Sequence, residues 1–285
     1  MNLFLPDELA ACRKLVDLAV AEDLGRFGDR TSRALIPADQ TASATFVARS
    51  AGVIAGLPAA ALVCESLSFT TLIEDGSAVS AGTRIATVSG SLRDILAAER
   101  IALNFLQRLS GVATLTRRFV DLVQGTNAKI LDTRKTTPGW RLLEKYAVRM
   151  GGGTNHRLGL HDGILIKDNH LAGLNGDVRR AVMMAREAPG NDTFPVEVEV
   201  DTLEQLNEAL AAGADIVLLD NMSTDMMKEA VRRRDATAPL TKLEASGGVN
   251  LQTARAIAGT GVDRISVGAL THSATALDIA LDFGA

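Results

Sequence analysis

The sequence predicts a mixed α/β fold in two parts: an α+β region over about the first hundred residues, then an α/β barrel. Three observations lead to this prediction. From residue 128 onward, short β-branched runs alternate with amphipathic segments, which is typical of βαβ units around a parallel sheet. The chain of 285 residues is 47% hydrophobic and 22% charged, enough for one large or two ordinary globular domains. A doubly wound sheet is the alternative, but no G-x-G-x-x-G motif follows the first strand.

The N-terminal region combines helix signals with short strand patterns. The expected elements are a helix from Pro6 and Asp7 through Ala21 that ends at Gly25, a strand over 42–49, a helix from near Pro58 and a strand over 82–90. Ser91 and Asp94 form a capping pattern ahead of a long apolar stretch over 95–123, which Gly111 could divide into two helices.

Six nearly apolar runs predict the strands of the second part. They are AKILDT (128–133), GILIKD (163–168), PVEVEVD (195–201), DIVLLDN (215–221), KLEASGG (242–248) and DRISVGA (263–269). Helical patterns over 203–212 and 224–233 lie between them. Both an open and a closed barrel fit this series.

Composition excludes several classes of protein. Aromatic residues make up only 4%, which disfavours base-stacking surfaces for nucleic acid. Two cysteines, Cys12 and Cys64, are too few for a disulfide framework and fit a reducing compartment. The longest uncharged apolar run, 51–64, is too short to span a bilayer, and no basic residue precedes Arg13 as in a signal peptide. We therefore expect a cytoplasmic protein that binds neither nucleic acid nor membranes.

Positive charge is concentrated in one segment. Between Lys129 and Lys167, eight basic residues face three acidic ones, so this segment carries about +5 in a chain of net charge −4. Such an excess indicates a site for a small anion. A solvated basic helix explains the residues at helical spacing, which are Arg141, Lys145 and Arg149. It does not explain the basic residues in loops or at strand ends, which are Arg134, Lys135, Arg157 and Lys167.

The ends of the predicted strands are strongly polar, and active sites of α/β barrels lie at these ends. The positions are Asp132-Thr133-Arg134-Lys135, Lys167-Asp168, Glu199 and Asp201, Asp220-Asn221, Ser246-Gly247-Gly248, and Gly268. Asp201 and Asn221 have an equally good interpretation as caps of the following helices. A buried lysine must be paired or bind an anion, which favours a functional role for Lys135 and Lys167.

Two glycine-rich stretches suggest ligand contacts. Ser246-Gly247-Gly248, together with Gly268 near the next strand end, is typical of a phosphate site formed by backbone N–H groups, although a simple tight turn also explains it. The run 151–157 contains three glycines, which form either a mobile loop or a close approach to a ligand.

Three histidines lie near the glycine-rich run 151–157. The spacing of His156, His161 and His170 matches no familiar zinc pattern, which argues against a structural metal. We expect His156 and Arg157 to join Arg134 and Lys135 in binding a carboxylate or phosphate. The acids Glu199 and Asp220 could hold sugar hydroxyls or a divalent ion. A phosphorylated sugar and a carboxylate-bearing acceptor are the substrates that fit this set.

Long motifs covering almost the whole chain resemble the quinolinate phosphoribosyltransferase family. They are AEDLGRFGDRTS, AERIALNFLQRLSG, DTRKTTPGWR, GGGTNHRLGLHDGILIKDNH, VEVEVDTLEQL, LLDN, LEASGGV and SVGALTHS. The resemblance implies an N-terminal α/β sandwich domain (1–110, joined by 270–285) and an open, TIM-like barrel domain of about six strands (111–269). It also implies a homodimer with shared active sites, in which Arg100 reaches the partner's site.

The resemblance implies a reaction and residue roles as well. Quinolinate and phosphoribosyl pyrophosphate would give nicotinate mononucleotide, pyrophosphate and CO₂. Lys135, Lys167, Glu199 and Asp220 would be catalytic, with Glu199 and Asp220 also holding ribose hydroxyls and Mg²⁺. The residues expected to bind quinolinate are Arg100, Thr133, Arg134, Lys135, His156, Arg157 and Lys167. Those expected to bind the 5-phosphate are Ser246, Gly247, Gly248, Gly268 and His272.

Three other functions remain open at this stage. One is that of a relative of the same fold associated with molybdate-transport operons, although Arg100 and the NHR element at 155–157 favour the quinolinate enzyme. Another is a Schiff-base aldolase acting through Lys135 or Lys167 on a phosphosugar. The third is a non-catalytic phosphosugar sensor, which the number and mixed sign of the charged positions disfavour.

Overall fold

The computed structural model describes residues 4–190 and 194–284 and arranges them as two units. Within the described residues, unit 1 contains 4–117, 136–152 and 270–284, and unit 2 contains 118–135 and 153–269 apart from 191–193. The first elements in chain order are α1 (Pro6–Leu24), α2 (Arg30–Leu35), β1 (Thr41–Ala48), β2 (Gly52–Val53), α3 (Leu57–Val63), β3 (Ser68–Thr71), β4 (Ala78–Val79), β5 (Arg84–Ser91) and α4 (Leu92–Leu122). They are followed by β6 (Lys129–Leu131), α5 (Arg141–Met150), β7 (Ile164–Ile166), α6 (Asp168–Ala172), α7 (Val178–Glu187), β8 (Val196–Val200), α8 (Leu203–Ala211), β9 (Ile216–Asp220), α9 (Thr224–Thr237), β10 (Lys242–Ser246), α10 (Ala254–Ala258), β11 (Arg264–Ser266), α11 (Ala269–His272) and β12 (Ile279–Phe283).

Unit 1 is built on a four-stranded antiparallel sheet in the order β12-β1-β5-β3. Phe46 of β1 and Ile85 of β5 are buried in one core cluster with Ile95, Leu103 and Leu106 of α4. The predicted strands 42–49 and 82–90 and the helix near Pro58 are confirmed as β1, β5 and α3. Helix α1 begins where it was predicted and continues three residues past Ala21.

Helix α4 is continuous, so the predicted division at Gly111 is wrong. A Cβ atom at Gly111 would lie 2.2 Å from the backbone oxygen of Thr275. The glycine therefore lets the C-terminal segment pass close to the helix and does not interrupt it.

Helix α5 clusters with unit 1 because it packs against α1, although 111–269 was predicted as one domain. The prediction that α5 is a solvated basic helix is wrong for Lys145, which is fully buried. Arg149 pairs with Glu8 of α1 at 2.7 Å, and Arg141 donates to Thr136 Oγ1 at 3.0 Å. Part of the basic face of α5 therefore contacts α1.

Unit 2 contains a six-stranded parallel sheet in the order β6-β11-β10-β9-β8-β7. All six predicted runs are strands of this sheet. Strands β7 to β11 are neighbours in chain order, and β6 pairs with β11. The chain therefore advances around the sheet in one direction. A doubly wound sheet would reverse direction midway. The fold is an open barrel with β6 and β7 as its outer strands.

Within the described ranges, no helix combines the length and the apolar character that crossing a bilayer requires.

Candidate active site

A cavity of about 680 Å³ opens at the C-terminal ends of the parallel strands of unit 2. Its lining comprises Thr133, Arg134, Lys135, His156, Arg157, Leu165, Lys167, Glu199, Leu218, Asp220, Asn221, Glu244, Ser246, Gly247 and Ser266. Most of the residues predicted for the site from the sequence are in this set. Parallel strands bring these distant segments together because their carboxyl ends share one edge of the sheet.

Four predicted site residues do not line this cavity. Gly248 follows Gly247 in the same turn, and Gly268 precedes α11 in unit 2. Arg100 and His272 belong to unit 1. Arg100 lines a smaller cavity of that unit, of about 200 Å³, together with Glu22, Asp23 and Trp140.

Arg134 and Arg157 form the basic end of the cavity. The half-buried Arg157 donates from Nη1 to the Gly163 carbonyl oxygen at 3.0 Å. Burial and the neighbouring Arg134 lower the pKa of Arg157. Lys135 is exposed, and its N–H donates to Thr133 Oγ1 at 3.0 Å. An anion bound between two cations offsets their mutual repulsion. Arg134 and Arg157 therefore suit a ligand with two negative charges.

Buried Asp132 anchors the chain that carries Arg157. Its carboxylate accepts the His156 N–H at 2.8 Å and the Asn155 Nδ2 hydrogen at 2.6 Å. Thr154 forms a bridge with Leu131 of β6. Sequence reasoning placed Asp132 at a strand end but gave it no role.

The first two glycines of the run before this segment belong to unit 1. A Cβ atom at Gly151 would lie 2.5 Å from both the Ala113 oxygen and Thr116 Cβ. Gly152 has φ +89°, a conformation that favours glycine. Close packing against α4 therefore explains Gly151, which the sequence analysis assigned to a mobile loop or to ligand approach.

Two carboxylates on adjacent strands line the cavity. Glu199 lies near the end of β8 and accepts a hydrogen bond from Lys167 Nζ. Asp220 ends β9 and accepts from Asn221 Nδ2 at 2.7 Å. Lys167 forms an ion pair with Glu199. This pairing does not favour the Schiff-base role that the sequence left open for Lys167.

Helices α8 and α9 are capped by residues other than Asp201 and Asn221. Thr202 Oγ1 accepts the Gln205 N–H and caps α8, and Ser223 Oγ caps α9. The cap interpretation of Asp201 and Asn221 is therefore wrong. Asn221 instead has φ +51° and packs its amide against Gly247.

The turn after β10 contains two glycines in left-handed conformations. Gly247 and Gly248 have φ values of +86° and +61°, and a Cβ atom at Gly247 would lie 2.2 Å from Asn221 Oδ1. In the described part of the chain, the N–H groups of Gly247, Gly248 and Val249 have no acceptor. Successive free N–H groups in left-handed conformations form an anion-binding concavity.

Sequence reasoning missed two buried acids beneath the cavity. His156 Nε2 lies 3.2 Å from Glu197 Oε2 and 3.4 Å from Glu244 Oε1. Arg264 Nε lies 2.7 Å from Glu244 Oε2. The signal was present in the VEVEV run, because alternate residues of a strand share one face and Glu197 therefore points to the same side as Glu199.

These acids act on the charge of His156. Burial alone lowers the pKa of His156, but its contacts with Glu197 and Glu244 raise it to about 9. The Arg157 N–H donates to His156 Nδ1 at 2.8 Å and requires a lone pair there. A second proton would occupy Nδ1, so this hydrogen bond opposes the rise and favours the tautomer with hydrogen on Nε2. Both ring nitrogens thus have protein partners, although the sequence predicted that His156 contacts the ligand.

Two groups of side chains offer metal ligands. Atoms of His156, Glu197 and Glu244 lie within 4.8 Å of one another, but Arg264 already supplies a positive charge to Glu244. Glu199 and Asp220 are carboxylates at the cavity, and Mg²⁺ is commonly held by one or two carboxylates together with substrate phosphates. The second pair fits Mg²⁺ as donors in the presence of a phosphorylated substrate.

Comparison with known proteins connects this geometry to a family. The family models described as "Quinolinate phosphoribosyl transferase, N-terminal domain" and "C-terminal domain" match residues 29–110 and 112–282. A nicotinate-nucleotide pyrophosphorylase [carboxylating] of Mycobacterium leprae is 48% identical, with 96% of this chain and 98% of that protein covered. A probable enzyme of the same name from Bacillus subtilis is 45% identical over 95% and 92%. The solved structure of the nicotinate-nucleotide pyrophosphorylase from Francisella tularensis is 40% identical, with a TM-score of 0.90 and 98% of both chains covered.

Proposed function

This chain belongs to the quinolinate phosphoribosyltransferase family, and we propose that its cavity transfers a phosphoribosyl group from phosphoribosyl pyrophosphate to quinolinate. The products are nicotinate mononucleotide, pyrophosphate and CO₂, a step of de novo NAD biosynthesis. The observation that carries the proposal is the set of groups brought together at one cavity: two arginines, two carboxylates on adjacent strands and a glycine turn.

The two arginines suit the acceptor. Quinolinate carries two adjacent carboxylates, and Arg134 and Arg157 offer planar forks that bind carboxylates through paired hydrogen bonds. Exposed Lys135 extends the same positive surface. We assign Thr133, Arg134, Lys135, Arg157 and Lys167 to the acceptor.

The glycine turn and the two carboxylates suit the donor. The N–H groups of the turn at Gly247 and Gly248 and the Ser246 hydroxyl would hold the 5-phosphate. Cleavage of the bond between C1 and pyrophosphate passes through an oxocarbenium-like state. Glu199 and Asp220 would bind the ribose hydroxyls and stabilise the positive charge that develops there, while Lys167 and Lys135 would stabilise the leaving pyrophosphate.

The carboxylate pair also fits a metal. Glu199 and Asp220 would hold Mg²⁺ together with pyrophosphate oxygens, and the ion would neutralise charge on the leaving group. After the ring nitrogen becomes quaternary, loss of the 2-carboxylate as CO₂ leaves a carbanion beside N⁺, which the positive nitrogen stabilises until a proton from water adds at that carbon and gives the mononucleotide. The chain then has to hold the ring in place, and no nucleophilic side chain is required.

We propose that the enzyme is a cytoplasmic homodimer with shared sites. Arg100 lies in unit 1, does not line the cavity of unit 2, and would bind quinolinate at the partner's site. His272 would bind the 5-phosphate. Cys12 and Cys64 are both buried and free, in keeping with a reducing compartment.

Product analysis tests the proposal. Purified protein is incubated with quinolinate, phosphoribosyl pyrophosphate and Mg²⁺, and nicotinate mononucleotide and CO₂ are measured together. Equal amounts of the two products are expected. Lys167→Met should be strongly impaired, whereas Lys228→Met, which changes an exposed lysine paired with Asp225, should be unchanged. Failure of the folded wild-type protein to form the nucleotide would overturn the proposal.

A further inference from the structure

We propose that Glu244 and Glu197 are positioning residues for the acceptor, which act by holding the His156 ring and through it the main chain of Arg157. This inference rests on the proposed function, because it concerns how the arginine that binds quinolinate is placed. Neither acid is assigned to substrate, and Glu197 does not line the cavity.

A continuous series of contacts supports the proposal. Arg264 lies 2.7 Å from Glu244, and Glu244 and Glu197 both face Nε2 of His156. On the other side of the ring, Nδ1 accepts the N–H of Arg157 at 2.8 Å. The orientation of the imidazole therefore fixes the position of the Arg157 backbone nitrogen.

The same segment has a second anchor on the other side. Asp132 accepts the N–H of His156 and the side-chain amide of Asn155. Removing Glu244 leaves this anchor intact, so the 155–157 segment remains attached while the ring loses one of its two carboxylate contacts. The expected consequence is misplacement of Arg157 with little unfolding.

Electrostatics alone predicts the opposite result, which makes the proposal testable. Glu197 and Glu244 are acids beside a site for a dianion, and at short range like charges repel. If they acted only through charge, neutralising Glu244 would strengthen quinolinate binding and lower its KM. If they position Arg157, neutralising Glu244 removes the carboxylate charge that faces His156 Nε2 and raises that KM.

The kinetic test compares Glu244→Gln and Glu197→Gln with wild type. We expect the quinolinate KM to rise by up to about tenfold in Glu244→Gln, because the carboxylate charge that faces His156 Nε2 at 3.4 Å is removed, with the phosphoribosyl pyrophosphate KM unchanged. The matched control is Glu144→Gln, which removes another fully buried glutamate paired with an arginine, Arg108, in unit 1. It should leave the ratio of the two KM values unchanged. An unchanged or lowered quinolinate KM in folded Glu244→Gln would overturn the proposal.

A spectroscopic test needs no activity and is therefore independent of the proposed function. The chain has four histidines, so ¹⁵N NMR of the imidazoles is simple to assign with His156→Gln. We expect His156 in the wild type to carry hydrogen on Nε2 and to accept at Nδ1. Its nitrogen shifts should change in Glu244→Gln and stay the same in Glu144→Gln. Hydrogen on Nδ1 in the wild type would overturn the proposal even if neither variant folds, whereas an inactive wild type with the expected tautomer would overturn only the proposed function.

Discussion

Replacing Arg157 with alanine is the most direct perturbation of the acceptor end. The side chain lines the cavity, is half-buried and donates from its guanidinium to the Gly163 carbonyl oxygen. Its pKa is lowered by burial and by Arg134, so the two cations stand close enough to repel each other in the free protein. A bound dicarboxylate would relieve that repulsion, and Arg157→Ala removes one of the cations proposed to hold it.

The magnitude follows from the value of one charge-assisted contact. Such a contact contributes about 1.5–3 kcal/mol, and half-burial of Arg157 leaves some screening by solvent, which favours the lower half of that range. At 1.36 kcal/mol per factor of ten, the quinolinate KM should rise about 10- to 40-fold. The phosphoribosyl pyrophosphate KM should not change, because the phosphate turn at Gly247 is untouched.

Steady-state kinetics with each substrate varied in turn measures both effects. Arg157→Lys keeps the charge but loses the planar fork and should fall between wild type and alanine. Arg186→Ala is the matched control, since this arginine of unit 2 lies at the surface and pairs with Asp215. A quinolinate KM in folded Arg157→Ala equal to that of Arg186→Ala would refute the reasoning.

Three further predictions concern the donor end, the assembly and the metal. Gly247→Ala should raise the phosphoribosyl pyrophosphate KM and lower the melting temperature. The φ of +86° is strained for alanine by about 1–3 kcal/mol, and the new Cβ meets Asn221 Oδ1. An unchanged KM would show that this turn does not bind the phosphate. Mixed Arg100→Ala and Lys135→Ala subunits should regain part of the activity through one intact composite site, and no recovery after proven subunit exchange would place Arg100 in its own chain's site. EDTA should abolish turnover and added Mg²⁺ should restore it, whereas undiminished turnover in EDTA would contradict the metal role of Glu199 and Asp220.

The parts of the fold that depend on local pattern could be predicted from the sequence. The six strands of unit 2 were recognisable because each is a short apolar run, and their polar ends lie around one cavity because parallel strands share a direction. The beginning of α1 followed from Pro6.

Features that depend on distant contacts could not be predicted. Gly111 looked like a helix break, but its use is close passage of Thr275, which lies far along the chain. Lys145 sits at surface-like spacing and is buried because α5 packs against α1. Glu244 shares a strand face with Ser246, but its contact with His156 could not be predicted, because His156 lies in a loop far away in the sequence.

The measurement that tests the central claim most directly compares quinolinate with nicotinate as acceptors under identical conditions, with phosphoribosyl pyrophosphate and Mg²⁺ present. Nicotinate lacks the second carboxylate, so it forgoes half of the contacts expected from Arg134 and Arg157. The account predicts nucleotide formation with quinolinate, accompanied by an equal amount of CO₂, and none with nicotinate. Comparable turnover of nicotinate, or none of either acceptor by protein that still binds phosphoribosyl pyrophosphate, would contradict it.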